Sequence, residues 1–387
     1  MNLPPKGGVL PAADLTGLID EGRIVHTTGG ITPDHIDRAV QIQPASIDLR
    51  LGHVAYRLQS SFLPQQHLVQ DRMQDLIMYK VDLNEGGILE REAVYLIPLV
   101  ESLRLPSNIK GKTNPKSSTG RLDIFTRVIT DCSNRFEDIA PGYAGHLYLE
   151  VVPRSFTVKV RTGMRLNQLR LFYVDTEPIQ GQELRERYLN DQMLYTDDGE
   201  VFDSELAARF DGVLMGVDLT APNGEGAPIG YRARKNSQVI DLDRVGAYDA
   251  DDFWDPIMPP KSGRLILEPE EFYIFASKER IRVPLSCAAE MVEFDAGSGE
   301  LRTHYAGFFD PGFGYGRAGE IKGTKAVLEV RPHDVPFAIE DGQVLFKMKY
   351  ERMVAEPSIW YGAEIGSNYH NQTLRLAKQF TSGPERT

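Results

Sequence analysis

The sequence predicts a mainly β, all-β-class protein with few short helices, on three observations. Short segments rich in Val, Ile, Leu, Tyr and Phe alternate apolar with polar residues, which is typical of half-buried antiparallel strands. Glycine (35 residues) and proline (24 residues) are scattered through the 387 residues and punctuate these segments. A helical pattern occurs in two places, from Pro11 to Glu21, where Gly22 closes it, and within Gly181 to Ala208.

The composition is that of a packed globular protein, with 41% hydrophobic and 25% charged residues. The first fifteen residues lack the apolar core of a signal peptide, and no stretch approaches the roughly 18 apolar residues that a membrane span needs. Two cysteines, Cys132 and Cys287, cannot build a disulfide framework and suit a reducing compartment. We therefore expect a cytoplasmic protein that does not bind membranes.

The charge distribution points to a small anionic partner. A net charge of −12 argues against a general nucleic-acid binder, because a polyanion would be repelled. One positive stretch without acidic residues lies within 102–121, and its five cations are Arg104, Lys110, Lys112, Lys116 and Arg121. A patch of this size fits a phosphate chain and not a duplex, so we expect a nucleotide partner and no nucleic acid.

An internal repeat is the most informative feature of the sequence. The segment ILEREAVY at 88–95 recurs as ILEPEEFY at 266–273, an offset of 178 residues. Flanking landmarks return in the same order: Ser46-Ile47-Asp48-Leu49 with Gly216-Val217-Asp218-Leu219, Tyr56-Arg57 with Tyr231-Arg232, Pro141-Gly142 with Pro311-Gly312, and Leu149-Glu150-Val151 with Leu328-Glu329-Val330. Because chance would not preserve that order, we predict two copies of one fold, at 1–175 and 212–387, joined by a polar connector at 176–211.

The tract NPKSSTGR at 114–121 is a candidate phosphate site. Two adjacent hydroxyls, Ser117 and Ser118, lie between the cations Lys116 and Arg121. Hydroxyls, backbone amides freed by a tight turn and flanking cations are groups that ligate a triphosphate. An ordinary Ser/Gly surface loop has the same composition, and the tract is not a P-loop, so on its own it leaves both alternatives open.

Two glutamates occupy equivalent places in the predicted strands HLYLEV and KAVLEV. They are Glu150 and Glu329, and alternation puts each on the face opposite its apolar neighbours. A lone glutamate in such a strand usually faces solvent, but its return after the same kind of Pro-Gly turn favours a pocket. Carboxyl groups in dry pockets make useful general bases.

Several motifs of known nucleotide-binding proteins, zinc enzymes and hydrolases are absent or lie in the wrong structural context. Gly314-x-Gly316-x-x-Gly319 matches a dinucleotide fingerprint, but it lies between a Pro-Gly turn and a predicted strand, with no helix following. The H-x-E and P-C-x-x-C pattern of zinc deaminases cannot form when the only two cysteines are far apart in the chain. The sequence also lacks H-E-x-x-H and G-x-S-x-G, so we expect no zinc and a hydrolytic water activated by a carboxylate.

Five runs of residues together resemble a known family. They are QPASIDLRLG (43–52), KSSTGR (116–121), AGFFDPGFG (306–314), VLEV (327–330) and YGAEIGSNYHNQ (361–372). The chain resembles the dCTP deaminase branch of the dUTPase-like, β-clip superfamily, and more closely its long, internally duplicated bacterial form. The resemblance covers nearly the whole chain. It implies tandem distorted barrels and a zinc-independent hydrolysis of dCTP to dUTP and ammonia, which feeds dUMP and dTTP synthesis.

The resemblance also implies roles for residues that bind the nucleotide. The triphosphate-binding loop corresponds to Lys116, Ser117, Ser118 and Arg121. Asp310 fits the residue that holds the deoxyribose. Ala306, four residues earlier, fits the position whose backbone helps to orient the attacking water.

The remaining roles concern catalysis and the C-terminal segment. Either Glu329 or Glu150 fits the family's catalytic glutamate, and the resemblance implies that this group acts as general base and acid. Tyr361 and Gln372 match the segment that closes over the nucleotide. Asn368 stands where the family usually has a lysine, which puts one phosphate contact in question.

The two copies have diverged in complementary ways. The first keeps the Ser-Ser-x-x-Arg loop but has Ala140 where the second has Asp310, and the second replaces the phosphate loop by an acidic segment, 293–298. Because sites in this superfamily form between neighbouring folds, we expect a composite site in which the loop of the first copy faces Asp310 and Glu329. An insertion between Gly312 and Glu329 cuts against this expectation, so Glu150 stays the alternative.

Other functions stay open at this point. A dUTP pyrophosphatase or a bifunctional enzyme uses the same fold and phosphate loop, although the tail SNYHNQTLRLAKQF lacks the glycine-rich arm of those pyrophosphatases. A non-catalytic nucleotide-binding module is the alternative of another class, favoured by Ala140 and Asn368. The resemblance further implies Mg²⁺ bound through the triphosphate, with no metal ligand from the protein. It also makes dTTP a candidate inhibitor and implies a homo-oligomer, usually a trimer, with the site within one chain or between chains.

Overall fold

The chain folds into two compact units. The computed structural model describes residues 7–26, 36–200, 208–209, 211–221, 223–293, 301–302, 307–362 and 372–381. Unit 1 comprises Met1–Thr176 and Asn236–Arg244, and unit 2 comprises Glu177–Lys235 and Val245–Thr387. Both units are mainly β, as the sequence predicts.

The helices of the described residues are short. They are α1 (Ala12–Asp20), α2 (Arg38–Gln41), α3 (Val69–Met73), α4 (Ser117–Gly120) and α5 (Gly181–Asp191), with 3₁₀ turns at Gln74–Leu76 and Ala250–Asp252. Helix α1 confirms the predicted N-terminal helix, because it buries Leu15 and Leu18 and is followed by Gly22 at a φ of 66°. Helix α5 confirms the second. In the part of the chain that the structure describes, no helix has the length and apolarity to cross a membrane.

The strands are given in chain order. The first twelve are β1 (Ile24–His26), β2 (Ile47–Arg50), β3 (Val54–Leu58), β4 (Ile77–Asp82), β5 (Gly87–Leu89), β6 (Val94–Arg104), β7 (Ile109–Pro115), β8 (Ile124–Thr130), β9 (Asp138–Ile139), β10 (Ala144–Pro153), β11 (Val158–Val160) and β12 (Arg165–Tyr173). The others are β13 (Pro178–Ile179), β14 (Leu194–Tyr195), β15 (Ala208–Arg209), β16 (Gly212–Gly216), β17 (Gly230–Ala233), β18 (Ile240–Asp241), β19 (Trp254–Ile257), β20 (Arg264–Leu267), β21 (Tyr273–Ile281), β22 (Cys287–Glu293), β23 (Leu301–Arg302), β24 (Phe308–Phe309), β25 (Thr324–Pro332), β26 (Phe337–Glu340) and β27 (Val344–Arg352).

Unit 1 is built from three sheets. One has the strand order β4-β3-β6-β10-β8, with β1 paired to β6, and a second has the order β2-β12-β7-β9. The third has the order β18-β11-β5, in which β18 pairs in parallel with β11. A core cluster forms where α3 covers the first sheet, with Met73 against Leu96, Ile129 and Tyr148.

The described sheets of unit 2 follow the strand order of unit 1, with the extra strand β15 in the second sheet and no counterpart of β18 in the third. One sheet runs β19-β17-β21-β25-β23, with β14 paired to β21, and a second runs β15-β16-β27-β22-β24, with β13 paired to β27. The third pairs β20 with β26. The inner faces of the two larger sheets supply one core, which includes Met215, Phe275, Leu328 and Phe346.

Equivalent strand pairings fix the register of the repeat. Leu96 lies opposite Glu150 in unit 1, and Ile274 lies opposite Glu329 in unit 2, so the two glutamates are equivalent as predicted. The predicted equivalence of Ser46-Leu49 with Gly216-Leu219 is wrong by four residues, because Val217 corresponds to Leu51 and not to Ile47. The amide of Leu51 donates to Met164 O (2.8 Å), and the matching donor in unit 2 is Val217, which donates to Gln343 O (3.0 Å). Short apolar runs such as SIDL carry no signal that fixes their register.

The unit boundaries differ from the predicted ones. Much of the predicted connector belongs to unit 2, because it supplies α5 and the strands β13 and β14, which pair with β27 and β21. Within this segment, Asp197 lies 3.1 Å from Arg280 Nε and 2.7 Å from Lys325 Nζ. In the other direction, β18 joins unit 1, and Arg161 holds it through Asp241 at 2.9 Å.

A buried glutamate has different partners in the two units. Glu101 is 0% exposed and accepts hydrogen bonds from the backbone N and the Nε of Arg50 (2.8 and 2.7 Å) and from Gln41 (2.9 Å). Its counterpart Glu279 accepts one from the N of Gly216 (2.9 Å), which stands where unit 1 has the arginine. Burial raises the pKa of Glu279 to about 7, although its hydrogen bonds and two nearby lysines lower it.

We expect Glu279→Gln to stabilise the protein at pH 8 but not at pH 5. A raised folded-state pKa means that Glu279 favours the folded state at low pH and that this contribution is lost as the pH rises towards 7. The glutamine keeps an acceptor for the Gly216 amide, so its gain in free energy of unfolding at pH 8 should be about 1–3 kcal/mol. Urea unfolding of the full chain at both pH values measures it.

Glu101→Gln is the matched control. It breaks a charged pair with Arg50, so we expect it to destabilise the protein at both pH values. A Glu279→Gln protein less stable than wild type at pH 8 would contradict the assignment of Glu279 as a costly buried carboxyl.

Candidate active site

The tract 114–121 forms a tight turn between β7 and β8 in unit 1. The amide of Thr119 donates to Lys116 O (2.8 Å), and the amide of Arg121 donates to Ser117 O (3.1 Å), which closes the single turn of α4. Strand β12 supports this turn, because Leu166 O accepts from the amide of Lys116 (3.0 Å) and from Thr119 Oγ1 (2.9 Å). The loop is therefore fixed by its own backbone and by a neighbouring strand.

The side chains of this loop differ in exposure. Ser117 is exposed and Ser118 is half-buried. Arg121 is only 3% exposed and lies within the fold. The structure thus brings the four predicted phosphate-binding residues onto one loop, with the serines as its most accessible hydroxyls.

A buried aspartate that the sequence analysis missed supports the loop. Lys116 forms an ion pair with Asp48, whose side chain is 0% exposed, and Arg165 lies 3.7 Å from the same carboxylate oxygen. Two cations are thereby held beside the serines by one buried anion. In the sequence, Asp48 stands out only as a repeat landmark, and its role depends on β2 and β12 being neighbours.

In unit 2 the D-P-G turn follows β24. Asp310 is 8% exposed, and its carbonyl accepts from the amide of Phe313 (3.1 Å). Gly312 donates its amide to Val283 O (2.9 Å) and has a φ of 94°, a conformation that favours glycine. The turn therefore holds Asp310 in a fixed backbone at the end of a strand.

The C-terminal segment contacts this turn and strand β25. Tyr361 donates its amide to Pro311 O (2.8 Å), and its ring centroid lies 5.2 Å from that of Phe313. Gln372 is 6% exposed and donates Nε2 to Lys325 O (3.3 Å). The predictions for Ala306, Asn368 and the acidic segment after Glu293 fall outside the described residues.

Glu329 lies in a strand that is buried along its whole length. All nine residues of β25 are buried, and Glu329 itself is 6% exposed. Four residues before it, Lys325 is 0% exposed and pairs with Asp218, which is also 0% exposed. This strand therefore carries a buried carboxyl group and a buried, compensated cation in unit 2.

Glu150 has an arginine partner in unit 1. It is 1% exposed, and its Oε1 accepts from Arg127 Nε (3.0 Å) and Nη2 on the neighbouring strand β8. The Arg127 guanidinium lies 3.5 Å from the ring centroid of Phe136. Tyr148, on the same face of β10 as Glu150, packs under α3 in the core, so this face is buried. Ala140, at the position that corresponds to Asp310, is exposed.

Comparison with known proteins places the chain in a family. Residues 6–175 match the sequence model of the 2′-deoxycytidine 5′-triphosphate deaminase N-terminal domain, and residues 181–380 match that of the C-terminal domain. The chain belongs to the dCTP deaminase family. The start of the second match at residue 181 agrees with the start of unit 2 at Glu177 and not with the predicted copy boundary at 212.

Individual relatives agree with this membership. The crystal structure of 2′-deoxycytidine 5′-triphosphate deaminase from Agrobacterium tumefaciens has a TM-score of 0.80 and 40% identity, covering 91% of this chain and 97% of that one. The dCTP deaminase of Haloarcula marismortui is 31% identical over 165 residues, 42% of this chain and 78% of that protein. The dUMP-forming dCTP deaminase of Corynebacterium diphtheriae is 30% identical over 170 residues, 43% and 82% of the two chains.

Membership in the dCTP deaminase family confirms several predictions. The fold is the mainly β, two-domain fold of the long form, and the protein is an enzyme of the hydrolytic deaminase class with a nucleotide substrate. Within the described ranges, no group of three or more His, Cys, Asp and Glu side chains is arranged to hold a metal ion, and the absence of zinc stays a prediction.

We expect Arg127→Met to destabilise the protein by about 3 kcal/mol, because it leaves the buried Glu150 carboxylate without its charged partner. The double variant Arg127→Met/Glu150→Gln should recover part of this loss. Urea unfolding measures both. Arg135→Met is the control, since its ion pair with Asp138 (3.1 Å) is exposed and should contribute less than about 1 kcal/mol. Equal losses in the two arginine variants would show that Glu150 does not depend on Arg127.

Proposed function

We propose that this protein hydrolyses dCTP to dUTP and ammonia, with a glutamate as general base and acid and without zinc. The observation that carries the proposal is the buried Glu329 in the same unit as the D-P-G turn, in a chain that belongs to the dCTP deaminase family. The alternative of a non-catalytic nucleotide-binding module predicts tight dCTP binding without ammonia release.

The loop of unit 1 binds the triphosphate in this proposal. Ser117 and Ser118 donate hydroxyl hydrogen bonds to phosphate oxygens, and Lys116 and Arg121 contribute positive charge. The ion pair between Lys116 and Asp48 supports this role, because it holds the ammonium in place before substrate arrives. The substrate is the Mg²⁺ complex of dCTP, in which the ion is held by phosphate oxygens and needs no ligand from the protein.

Unit 2 supplies the sugar and base contacts. Asp310 accepts a hydrogen bond from the deoxyribose, and the backbone of Ala306 helps to orient the attacking water. Tyr361 and Gln372 contribute the contacts of the C-terminal segment. Their bonds to Pro311 O (2.8 Å) and Lys325 O (3.3 Å) support this assignment, since they tie that segment to the strand and turn that bear Glu329 and Asp310.

We assign the catalytic role to Glu329 and not to Glu150. The Arg127 guanidinium binds Oε1 of Glu150 through two N–H groups, which gives this carboxylate a structural partner on the neighbouring strand of unit 1. Unit 1 also has Ala140 in place of the sugar-binding aspartate. Unit 1 lacks the aspartate and unit 2 lacks the Ser-Ser-x-x-Arg loop. These complementary losses favour phosphate binding by unit 1 and catalysis by unit 2.

The reaction follows from one carboxylate. Glu329 takes a proton from water, and the hydroxide attacks C4 of cytosine to give a tetrahedral centre. The carboxyl group returns that proton to N3 and then carries the second proton of the attacking oxygen to the amine. The C4–N bond breaks, ammonia departs and dUTP remains. The bound triphosphate supplies binding energy remote from C4, which fixes the base against the glutamate.

Glu329→Gln should lower kcat for ammonia release from dCTP by about 10²- to 10⁴-fold, the usual contribution of a general base. Glu150→Gln keeps an acceptor for Arg127 and should stay within about threefold of wild type. The assay uses protein stripped of transition metals and supplied with Mg²⁺, and circular dichroism checks folding. Loss in the Glu150 variant alone would move catalysis to unit 1, and no ammonia from wild-type protein would reject the deaminase.

A bifunctional enzyme is the second candidate, because the matched relative from Corynebacterium diphtheriae is a dUMP-forming dCTP deaminase. Separate time courses of ammonia and pyrophosphate from dCTP distinguish the two. We expect ammonia and dUTP without pyrophosphate. Pyrophosphate and dUMP appearing with the ammonia would establish the bifunctional reaction, and pyrophosphate from dUTP with no ammonia from dCTP would identify a dUTP pyrophosphatase.

The proposal extends to the origin and setting of the enzyme. The order β4-β3-β6-β10-β8 of unit 1 is matched by β19-β17-β21-β25-β23 of unit 2, which supports the origin of the two units by duplication of one β-clip fold. We place the enzyme in the cytoplasm, where its product feeds dUMP and dTTP synthesis. We expect a homo-oligomer, a trimer by resemblance, and inhibition by dTTP as the end product of that synthesis.

A further inference from the structure

The insertion in unit 2, residues 314–323, is a tightly folded loop that contains the Gly-x-Gly-x-x-Gly pattern. Its three glycines have φ values of 59°, 80° and 79°, and strand β25 follows the loop, in keeping with the rejection of a dinucleotide fingerprint. A Cβ at Gly316 would collide with the carboxylate of Glu320, and a Cβ at Gly319 would lie 2.9 Å from Arg282. The glycines are therefore explained by the shape of this loop.

Two sets of contacts hold the loop in shape. Arg282, which is 4% exposed, donates to Gly319 O (2.8 Å) and lies 4.5 Å from the ring centroid of Tyr315. Inside the loop, the Glu320 carboxylate accepts from the amides of Arg317 (3.1 Å) and Ala318 (2.8 Å). The bond of Arg282 to Gly319 O and the bonds of Glu320 to the two amides together fix the backbone around residue 317.

Arg317 of this loop contacts a tryptophan, Trp360. The Arg317 guanidinium lies 5.1 Å from the ring centroid of Trp360, within the range of a cation–π contact. Trp360 sits directly on the D-P-G turn, because a Cβ at Gly312 would lie 3.0 Å from the Cβ of Trp360. The next residue, Tyr361, donates its amide to Pro311 O (2.8 Å). The loop thus connects through Trp360 to the turn that follows Asp310.

We propose that Arg317 is a positioning residue for the sugar-binding turn, a role that rests on the proposed function. By holding Trp360 on Gly312, it keeps the Tyr361 amide on Pro311 O and so fixes Asp310 and Tyr361 before the nucleotide arrives. Preorganisation lowers the ordering cost of binding. Because Arg317 acts on the sugar contacts and not on the reacting carbon, its loss weakens substrate binding while the chemical step keeps its rate.

Steady-state ammonia release from dCTP tests the role in Arg317→Ala, Trp360→Leu and the double variant. Arg317→Ala should raise KM about threefold to tenfold, the range of a cation–π contact, with kcat within about twofold of wild type. The double variant should be no worse than Trp360→Leu, since both changes break one contact. Arg317→Lys should recover part of the loss. Lys322→Ala, which changes a cation of the same loop that donates to Gly199 O (3.2 Å), should leave KM unchanged.

Acrylamide quenching of tryptophan fluorescence without nucleotide gives a second readout. The chain has two tryptophans, and Trp254 is 1% exposed, so a change reports Trp360. Quenching should increase in Arg317→Ala and stay constant in Lys322→Ala.

An unchanged KM in Arg317→Ala, unchanged quenching, or additive effects in the double variant would overturn the role of Arg317. Failure of the proposed function is recognised separately, by the absence of ammonia release from wild-type protein. If wild-type protein releases no ammonia, equilibrium dCTP binding replaces KM, and together with quenching it still decides whether Arg317 positions the turn.

Discussion

A carboxyl group in the middle of a strand buried on both faces is the constraint on which the assignment of the two units depends. Such a group must be paired, bound to a ligand or protonated, because the desolvation of an isolated carboxylate costs on the order of several kcal/mol. Unit 1 meets the constraint by pairing Glu150 with Arg127 across β8 and β10. In unit 2, the buried cation of the same strand, Lys325, is engaged by Asp218 and Asp197. The strand of Glu329 thus carries a buried ion pair of its own, whereas the partner of Glu150 comes from the neighbouring strand β8.

The parts of the fold that the sequence predicts are those with a local or repeated signal. The strand class, the helices α1 and α5 and the equivalence of Glu150 with Glu329 all follow from periodicity or from an ordered set of landmarks. The strands β13 and β14 have two residues each, too few for any period, so the segment that contains them reads as a linker. Their pairing with β27 and β21 is a tertiary property.

The candidate site was predictable to the extent that its residues are contiguous. The loop from Lys116 to Arg121 is found in one piece, whereas Asp48 enters the site only because β2 lies beside β12. The partner of Glu150 is likewise set by a cross-strand register, Glu150 opposite Arg127, that no local pattern encodes. The burial of β10 on its second face depends on α3, which a strand-by-strand analysis does not place.

One arginine, at equivalent positions of the two units, has different surroundings because of the insertion in unit 2. Arg104 of unit 1 is exposed at the end of β6. Its counterpart in unit 2, Arg282, is 4% exposed and donates to Gly319 O of the loop at 314–323 (2.8 Å) and to Asp191 O (3.0 Å). Carbonyl oxygens replace water around this buried guanidinium, the rings of Tyr195 and Tyr315 lie against it, and the carboxylates of Asp191 and Glu320 add favourable charge. The loop at 314–323 therefore supplies part of the environment that stabilises the buried arginine of unit 2.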